Sequence, residues 1–327
     1  MDVRQARPTD APLVLALALD DAAQIVTGPA LNVRPPLTRL ISHIAFPLAG
    51  PGRTWVARNG ADTGILEAQP RQFVIGWDVT RLAIRGNVDR ILAPLLHAAT
   101  SHLQSRGVPR LFARCPSRQR DLLSRLDFLT LAREYVLLGP ANHIRTESGL
   151  HIDSRYRMPH DAWPLHQLES ETTPALVRQL EGLTSSDWSY KSRDRSDIVV
   201  EQGGRIVAWV GYGARITYGH VRLGMLVHPD FKDLAQELIR HALDHAPPNT
   251  RFVARVREYH VETLQAMREA GFETVAEEVL MVKHAGVEVV PEARGRLRLG
   301  RVPSIQGVNS QLKEPRPLTS DRALVKL

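Results

Sequence analysis

One internal repeat constrains this chain more than any other feature. Arg110-Leu-Phe-Ala-Arg114 and Arg251-Phe-Val-Ala-Arg255 are short apolar segments bracketed by arginines, 141 residues apart. The same series follows each. After the first come a helical stretch, Asp121 to Leu126, then Phe128 and an apolar strand from Glu134 to Leu138. After the second come a helix from Val261 to Ala270, then Phe272 and a strand from Glu278 to Val282. The two phenylalanines lie 144 residues apart. Upstream, a strand from Phe73 to Ile84 precedes a helix carrying Ile91, Leu92, Leu95, Leu96, Ala99 and Leu103. Its counterpart, His220 to Val227, precedes a helix carrying Leu234, Leu238, Ile239 and Leu243. Apolar spacings of 3, 4, 7 and 8 in the first helix, and of 4 from Leu234 to Leu238 and from Ile239 to Leu243 in the second, mark both as amphipathic. Agreement in order, spacing and the bracketing arginines argues against a chance likeness between two α/β segments.

Each copy therefore reads as strand, strand, helix, strand, helix, strand, behind an N-terminal helix. In the first copy Thr9 or Asp10 is the expected cap of that helix, with Pro12 in the first turn. Hairpins mixed with crossover helices predict an α/β fold with a sheet of mixed direction. The first unit spans 1–140, a polar linker 141–150, and the second unit 151–285. Residues 286–327 form a tail rich in Pro and Gly without apolar period, expected to be flexible. The tail holds eight basic and four acidic residues, so it supplies +4 of the net +7. Contact with nucleic acid is thus not expected of the body and, if anywhere, falls to the tail's Arg294-Gly-Arg-Leu-Arg298 cluster, which reads first as solvated. No apolar run approaches the ~20 residues of a membrane helix. Asp2 and Asp10 argue against a secretory signal. A lone cysteine, Cys115, excludes an internal disulfide and a Cys-cluster metal site. It points to a reducing cytoplasm, and at the end of a buried strand it reads as an inert thiol.

The arrangement resembles the GNAT superfamily of acyl-CoA-dependent N-acetyltransferases, present as a tandem pair. Val3-Arg-Gln-Ala-Arg-Pro-Thr-Asp-Ala-Pro12 looks like the family's first strand and first helix. Gly204-Arg-Ile-Val-Ala-Trp-Val210 looks like its central hairpin, Leu226-Val-His-Pro-Asp-Phe231 like the end of its fourth strand, and Met267-Arg-Glu-Ala-Gly-Phe272 like its helix-end signature. The resemblance implies acetyl-CoA as co-substrate, with no metal, and a small-molecule or peptide amine as acceptor. It also implies that the splayed fourth strand and the next helix N-terminus hold the cofactor, since free N–H groups and the positive helix end attract a pyrophosphate. In the second unit that assigns Leu226, Val227, His228, Lys232, Asp233, Leu234 and Ala235.

Two departures oppose a working site. The loop after Pro229 has no glycine and is about two residues shorter than the family's, and Asp233 with Gln236 forms a pattern close to a capping box. A capping aspartate would occupy the N–H groups a pyrophosphate needs and would repel it. In the first unit Arg85-Gly-Asn-Val-Asp-Arg90 carries acidic Asp89, and Pro94 removes a backbone donor. The tyrosine that often serves the leaving thiolate is matched by Met267 and Leu123, neither of which can donate a proton, and the family's asparagine by His260. Acyl transfer to an amine needs a base and an acid. His220 and Asp78, on the two candidate fourth strands, are the base candidates, and Tyr259 could reach the thiolate by a shifted route. Trp188 and Tyr190, with Lys191, Arg193 and Arg195, occupy the region that lines the family's acceptor site; the alternative is a packed surface loop. His241 and His245 share a helix face, but no third ligand has motif spacing. Two functional readings remain: an acetyltransferase whose second unit is active, or a GNAT-like binding module without turnover.

Overall fold

A computed structural model of the chain describes residues 1–26, 52–71, 76–139, 153–190, 197–215, 220–245 and 250–286. The expected linker, 141–150, lies outside the described residues, as does the tail from 287 onward.

The repeat becomes two matched series of elements. The first runs β1 (Asp2–Gln5), α1 (Ala11–Ala18), β2 (Gln24–Val26), β3 (Arg53–Asn59), β4 (Asp62–Pro70), β5 (Trp77–Arg85), α2 (Val88–Gln104), β6 (Arg110–Pro116), α3 (Arg120–Ser124) and β7 (Leu129–Leu138). The second runs β8 (Ser154–Tyr156), α4 (Ala162–Thr172), α5 (Ala175–Glu181), β9 (Ile198–Gln202), β10 (Arg205–Arg215), β11 (His220–Val227), α6 (Leu234–Asp244), β12 (Arg251–Arg257), α7 (Val261–Glu269) and β13 (Glu273–His284). The strands that open α/β crossovers pair in parallel, β5 with β6 and β11 with β12, and the hairpins pair antiparallel. The sheet is therefore of mixed direction, as the hairpin and crossover pattern predicts.

All thirteen strands among the described residues belong to one sheet, ordered β1-β3-β4-β5-β6-β13-β7-β12-β11-β10-β9-β8, with β2 paired to β5 off that path. The two copies exchange their last strands. β13, which ends the second copy, pairs with β6 of the first from Glu278↔Pro116 to His284↔Arg110. β7, which ends the first copy, pairs with β12 of the second from Val253↔Leu138 to Arg257↔Glu134. The exchanged strands pair with each other, and Glu278 faces Glu134 across that central ladder. The cores follow the exchange. Val279 and Met281 of β13 are buried with Leu111, Ala113, Cys115 and the α2 residues Ile91, Leu95 and Leu103. Leu137 of β7 is buried with Leu238 and Ile239 of α6 and Met267 of α7. Burying a side chain of this size stabilises by roughly 1.5–3 kcal/mol. Each copy therefore depends on the other for part of its core as well as for strand pairing.

Local chemistry accounts for the start of each copy. Arg4 makes a bidentate contact with Asp10 at 2.6 and 3.0 Å, and Arg155 makes the same contact with Asp161 at 2.8 Å on both arms. Each aspartate also accepts the backbone N–H three residues earlier, Arg7 at 2.8 Å and Met158 at 2.7 Å. Asp10 is thus not the expected side-chain cap of α1, with which it forms no cap hydrogen bond. It closes the preceding 3₁₀ turn and ties it to the first strand. α2 runs straight through Pro94, with its N-terminus capped by Asn87, whose side chain accepts from the N–H of Arg90 at 3.2 Å. No helix among the described residues is long and apolar enough to cross a membrane.

Candidate functional site

The two parallel strand pairs each separate partway along, and the two resulting clefts differ. In the first copy, pairing between β5 and β6 is limited to Trp77↔Leu111 and Asp78↔Phe112. Beyond that point β4 pairs with one edge of β5, including Leu66↔Leu82 and Ile65↔Ala83. β2 pairs with the opposite edge, through Gln24↔Ala83 and Val26↔Leu82. Ile25 and Val26 are buried in the first core. The cleft of the first copy is therefore filled by the chain's own strand. In the second copy β11 and β12 pair from His220↔Arg251 to Leu223↔Ala254 and then separate. Gly224 to Val227 continue as strand, and among the described residues no strand pairs with them on that edge.

The helix N-termini beside the two clefts differ in the same sense. At α2 the carboxylate of Asp62 accepts the N–H of Asn87 at 2.9 Å. A Cβ on Gly86, whose φ is +94°, would lie 2.2 Å from that carboxylate. An acidic group thus sits against the first copy's loop. At α6 the expected cap is not formed: Asp233 occupies the N-cap position without a side-chain cap hydrogen bond. Gln236 donates instead to Glu269, across to α7. Asp233 and Lys232 are both exposed, Ala235 is buried, and Leu234 is half-buried. The local reason lies upstream. The imidazole of His228 accepts the N–H of Asp230 at 3.2 Å, capping the 3₁₀ turn Pro229–Phe231 that delivers the chain to α6. The side chains of Leu226 and Val227 point to opposite faces, Leu226 toward α4 and Val227 into the core under α6.

A cluster of ionisable groups lies on the α4 and α5 face of the central strands. β6 alternates Leu111, Ala113 and Cys115 in the core with Arg110, Phe112 and Arg114 on the other face, and β12 repeats the pattern. Glu134 is 1% exposed. It accepts from Arg114 Nε at 2.7 Å and lies 3.4 Å from Arg257 Nε and 3.5 Å from Arg255 Nε. Burial opposes its charge, but the three guanidiniums outweigh burial and hold the carboxyl down at about 2. Arg255 also bonds Glu278 at 2.7 Å, so the two opposed glutamates are each neutralised. Arg257 makes a bidentate contact with Glu181 of α5 at 2.6 and 2.7 Å and donates to the Tyr259 hydroxyl at 2.7 Å. Burial pushes the Tyr259 hydroxyl up, against the pull of Arg257 and of nearby Thr173. His260, tilted at 57° beside Tyr259 with ring centroids 4.6 Å apart, is lowered by burial and by Arg257 to about 4. It is neutral at physiological pH. Glu169 on α4 accepts from the Trp188 indole at 2.7 Å, and burial raises its carboxyl above the usual range.

The expected site residues are thereby located. Tyr259 lies just beyond β12, and Glu169 interacts electrostatically with Arg257 and Glu181 in the same cluster. His220 lies where β11 and β12 are still paired, at the closed end of the second cleft. Asp78 is on the other wing of the sheet, where Arg71 holds it at 2.9 Å and Arg114 approaches to 4.0 Å. The structure does not bring His220 and Asp78 together. Trp188 packs edge-on against Trp209 at 5.0 Å, and the guanidinium of Arg157 lies over the rings of both Trp188 and Tyr190. Lys191, Arg193 and Arg195 lie outside the described residues. The rings of His241 and His245 stack at 3.9 Å, and among the described residues no group of three metal-ligating side chains occurs. Glu169, Glu181 and Arg257 were not singled out from sequence. The alternating arginines of β6 and β12 were the available signal, since a buried strand places charge on one face only where partners await it.

Two solved structures share this architecture over most of the chain. A GCN5-related N-acetyltransferase from Sphaerobacter thermophilus matches with a TM-score of 0.57 and 16% identity, covering 87% of this chain and 95% of that one. A tandem GNAT protein from the clavulanic acid biosynthesis pathway matches with a TM-score of 0.51 and 15% identity, covering 87% of this chain and 98% of that one. No family model matches the sequence, and no curated protein matches it. The chain has the tandem GNAT fold.

Proposed function

We propose that this protein transfers an acetyl group from acetyl-CoA to a primary amine of a small molecule or peptide, using the second copy, 151–285, as the catalytic half. The first copy, 1–140, acts as a support that lends β7 to the second. The observation that carries this reading is the asymmetry of the clefts: β2 fills the first, and among the described residues no strand fills the second. The backbone of Leu226 and Val227 would hold the donor's extended arm and polarise the thioester carbonyl. The α6 N-terminus, with His228, Lys232, Asp233, Leu234 and Ala235 around it, would meet the pyrophosphate. Exposed Lys232 supplies the positive charge, and the uncapped N-terminus supplies the N–H groups.

Transfer is direct. The amine nitrogen attacks the thioester carbon, the C–N bond forms, and the C–S bond breaks. Glu169, whose carboxyl is raised by burial, takes the amine proton. Tyr259, whose hydroxyl is oriented by Arg257, returns a proton to the leaving thiolate. His220, at the closed end of the cleft, is the second candidate base. Trp188 and Tyr190 line the acceptor side. A cytoplasmic location suits the single buried thiol, and no metal is required.

The test is thiol release by the full-length protein with acetyl-CoA and a panel of primary amines. Amine-dependent release is expected, with kcat lowered about 100-fold or more in Glu169→Gln and KM for acetyl-CoA unchanged. The second reading, a binding module without turnover, is favoured by one observation: the Tyr259 hydroxyl is already engaged by Arg257. Saturable acetyl-CoA binding without thiol release for any amine would decide for that reading.

A further inference from the structure

Outside this site, three polar side chains form a row across the first copy's strands. Thr54 on β3 faces Glu67 on β4, and Glu67 faces Arg81 on β5. The next row on the same face, Val56, Ile65 and Ala83, is apolar and packs under Val14 and Leu17 of α1. The polar row is nevertheless buried, with Thr54 4%, Glu67 8% and Arg81 7% exposed. Thr54 Oγ1, Glu67 Oε1 and Arg81 Nη1 have no hydrogen-bond partner among the described residues. Glu67 Oε1 and Arg81 Nη1 are 3.8 Å apart. That is too long for a hydrogen bond, but two atoms so spaced can both reach one oxygen at ~2.8 Å. Native folds seldom bury three such groups side by side without something that satisfies them.

Charge narrows the choice. Burial raises the Glu67 carboxyl, with Arg81 pulling it the other way, so the neutral acid is the form that burial favours. The other ionisable groups nearby are spoken for. Asp78, also on β5, is held by Arg71. Asp10, ahead of α1, is held by Arg4 and Arg58, and α1 itself carries no ionisable side chain. With Glu67 in its acid form, the Thr54 hydroxyl, the Glu67 carboxyl and the Arg81 guanidinium would offer three donors around one positive charge, whose nearest carboxyl is Glu67 itself at 3.8 Å. Water would satisfy the donors but not the charge. A planar oxyanion satisfies both, and a guanidinium fork matches carboxylate geometry.

We propose that Thr54, Glu67 and Arg81 form a seat for the carboxylate of a small monocarboxylic acid in the first half of the molecule. Binding requires Glu67 in its acid form, because an ionised Glu67 repels the ligand. The seat is independent of acyl transfer in the second half. The experiment titrates sodium acetate and sodium propionate into the full chain between pH 5 and pH 8, with sodium chloride at equal ionic strength as control. Calorimetry and melting temperature are the readouts. The expected result is saturable carboxylate binding at pH 5 that weakens as pH rises, with no response to chloride. Glu67→Gln should bind with little pH dependence, Thr54→Val should bind about five-fold more weakly, and Arg81→Met should not bind. If Arg81→Met fails to fold, the Thr54 and Glu67 variants carry the test. No binding to the folded wild-type chain at pH 5 with about 100 mM carboxylate would mean that the row holds water, and would overturn the proposal. A Glu67→Gln affinity that falls with pH as steeply as wild type would overturn the role given to Glu67.

Discussion

Glu134 is where the two copies are electrostatically joined, and its replacement by glutamine tests that junction. The carboxylate sits among Arg114, Arg255 and Arg257, and their charges hold it at about 2, against an ordinary glutamate value of 4.5. At ~1.36 kcal/mol per tenfold, that difference corresponds to about 3 kcal/mol of folding stability. The folded value is depressed, so the contribution is complete above pH 4.5 and is lost as pH falls toward 2. Glutamine has the shape of the protonated acid. Glu134→Gln should therefore be about 3 kcal/mol less stable than wild type at pH 7, lowering the melting temperature by roughly 5 °C. The gap should narrow steadily below pH 4.5 and nearly close by pH 2. Urea unfolding of both proteins across that range, followed by circular dichroism, measures it. A difference below about 1 kcal/mol at pH 7, or one that does not change with pH, would refute the reasoning.

Other expectations follow from single groups. His260 is lowered to about 4 from an ordinary 6.5, so its contribution is present above 6.5 and lost as pH falls toward 4. His260→Asn should remove roughly 3 kcal/mol of the pH dependence of unfolding in that window, and an unchanged pH profile would count against burial of the neutral ring. Burial pushes the Cys115 thiol up to about 12, so an aromatic disulfide reagent should react with it only after denaturant is added. Rapid labelling of the native protein would contradict that. Gly211→Ala would place a Cβ 2.5 Å from the carboxyl of Asp197, which bonds Trp209 at 3.1 Å and pairs with Arg157. A loss of about 1–3 kcal/mol in chemical denaturation is expected, and a neutral result would show that Asp197 can move aside.

The repeat was legible because it is written in local patterns. Apolar periods of 3 and 4 fixed α2 and α6, and the bracketing arginines fixed β6 and β12. A further local pattern recurs: Arg4-x-x-x-Pro8-x-Asp10-Ala11 is repeated as Arg155-x-x-x-Pro159-x-Asp161-Ala162, and it encodes the Arg–Asp clamp that opens each copy. The strand exchange was not legible. β7 and β13 carry similar alternation and a matched glutamate, Glu134 or Glu278, so either fits beside β6 or β12, and nothing local selects the partner. The filling of the first cleft was hidden for a related reason: Gln24–Val26 is three residues long, too short to show a period. The expected Asp233 cap failed because sequence spacing cannot report side-chain direction. The 3₁₀ turn closed by His228 sets the entry to α6, and Gln236 turns to Glu269. The buried ion cluster drew on residues as distant as Glu134 and Arg257, which the exchange alone brings together.

Calorimetric titration of acetyl-CoA into the full-length chain tests the central claim most directly, because it counts sites and locates them. One site per chain is expected, weakened several-fold by Lys232→Glu and unaffected by Arg90→Glu beside the filled cleft of the first copy. Two sites, or one site that responds to Arg90→Glu and ignores Lys232→Glu, would contradict the assignment of the second half. No binding at all would show that the fold has been kept without its donor.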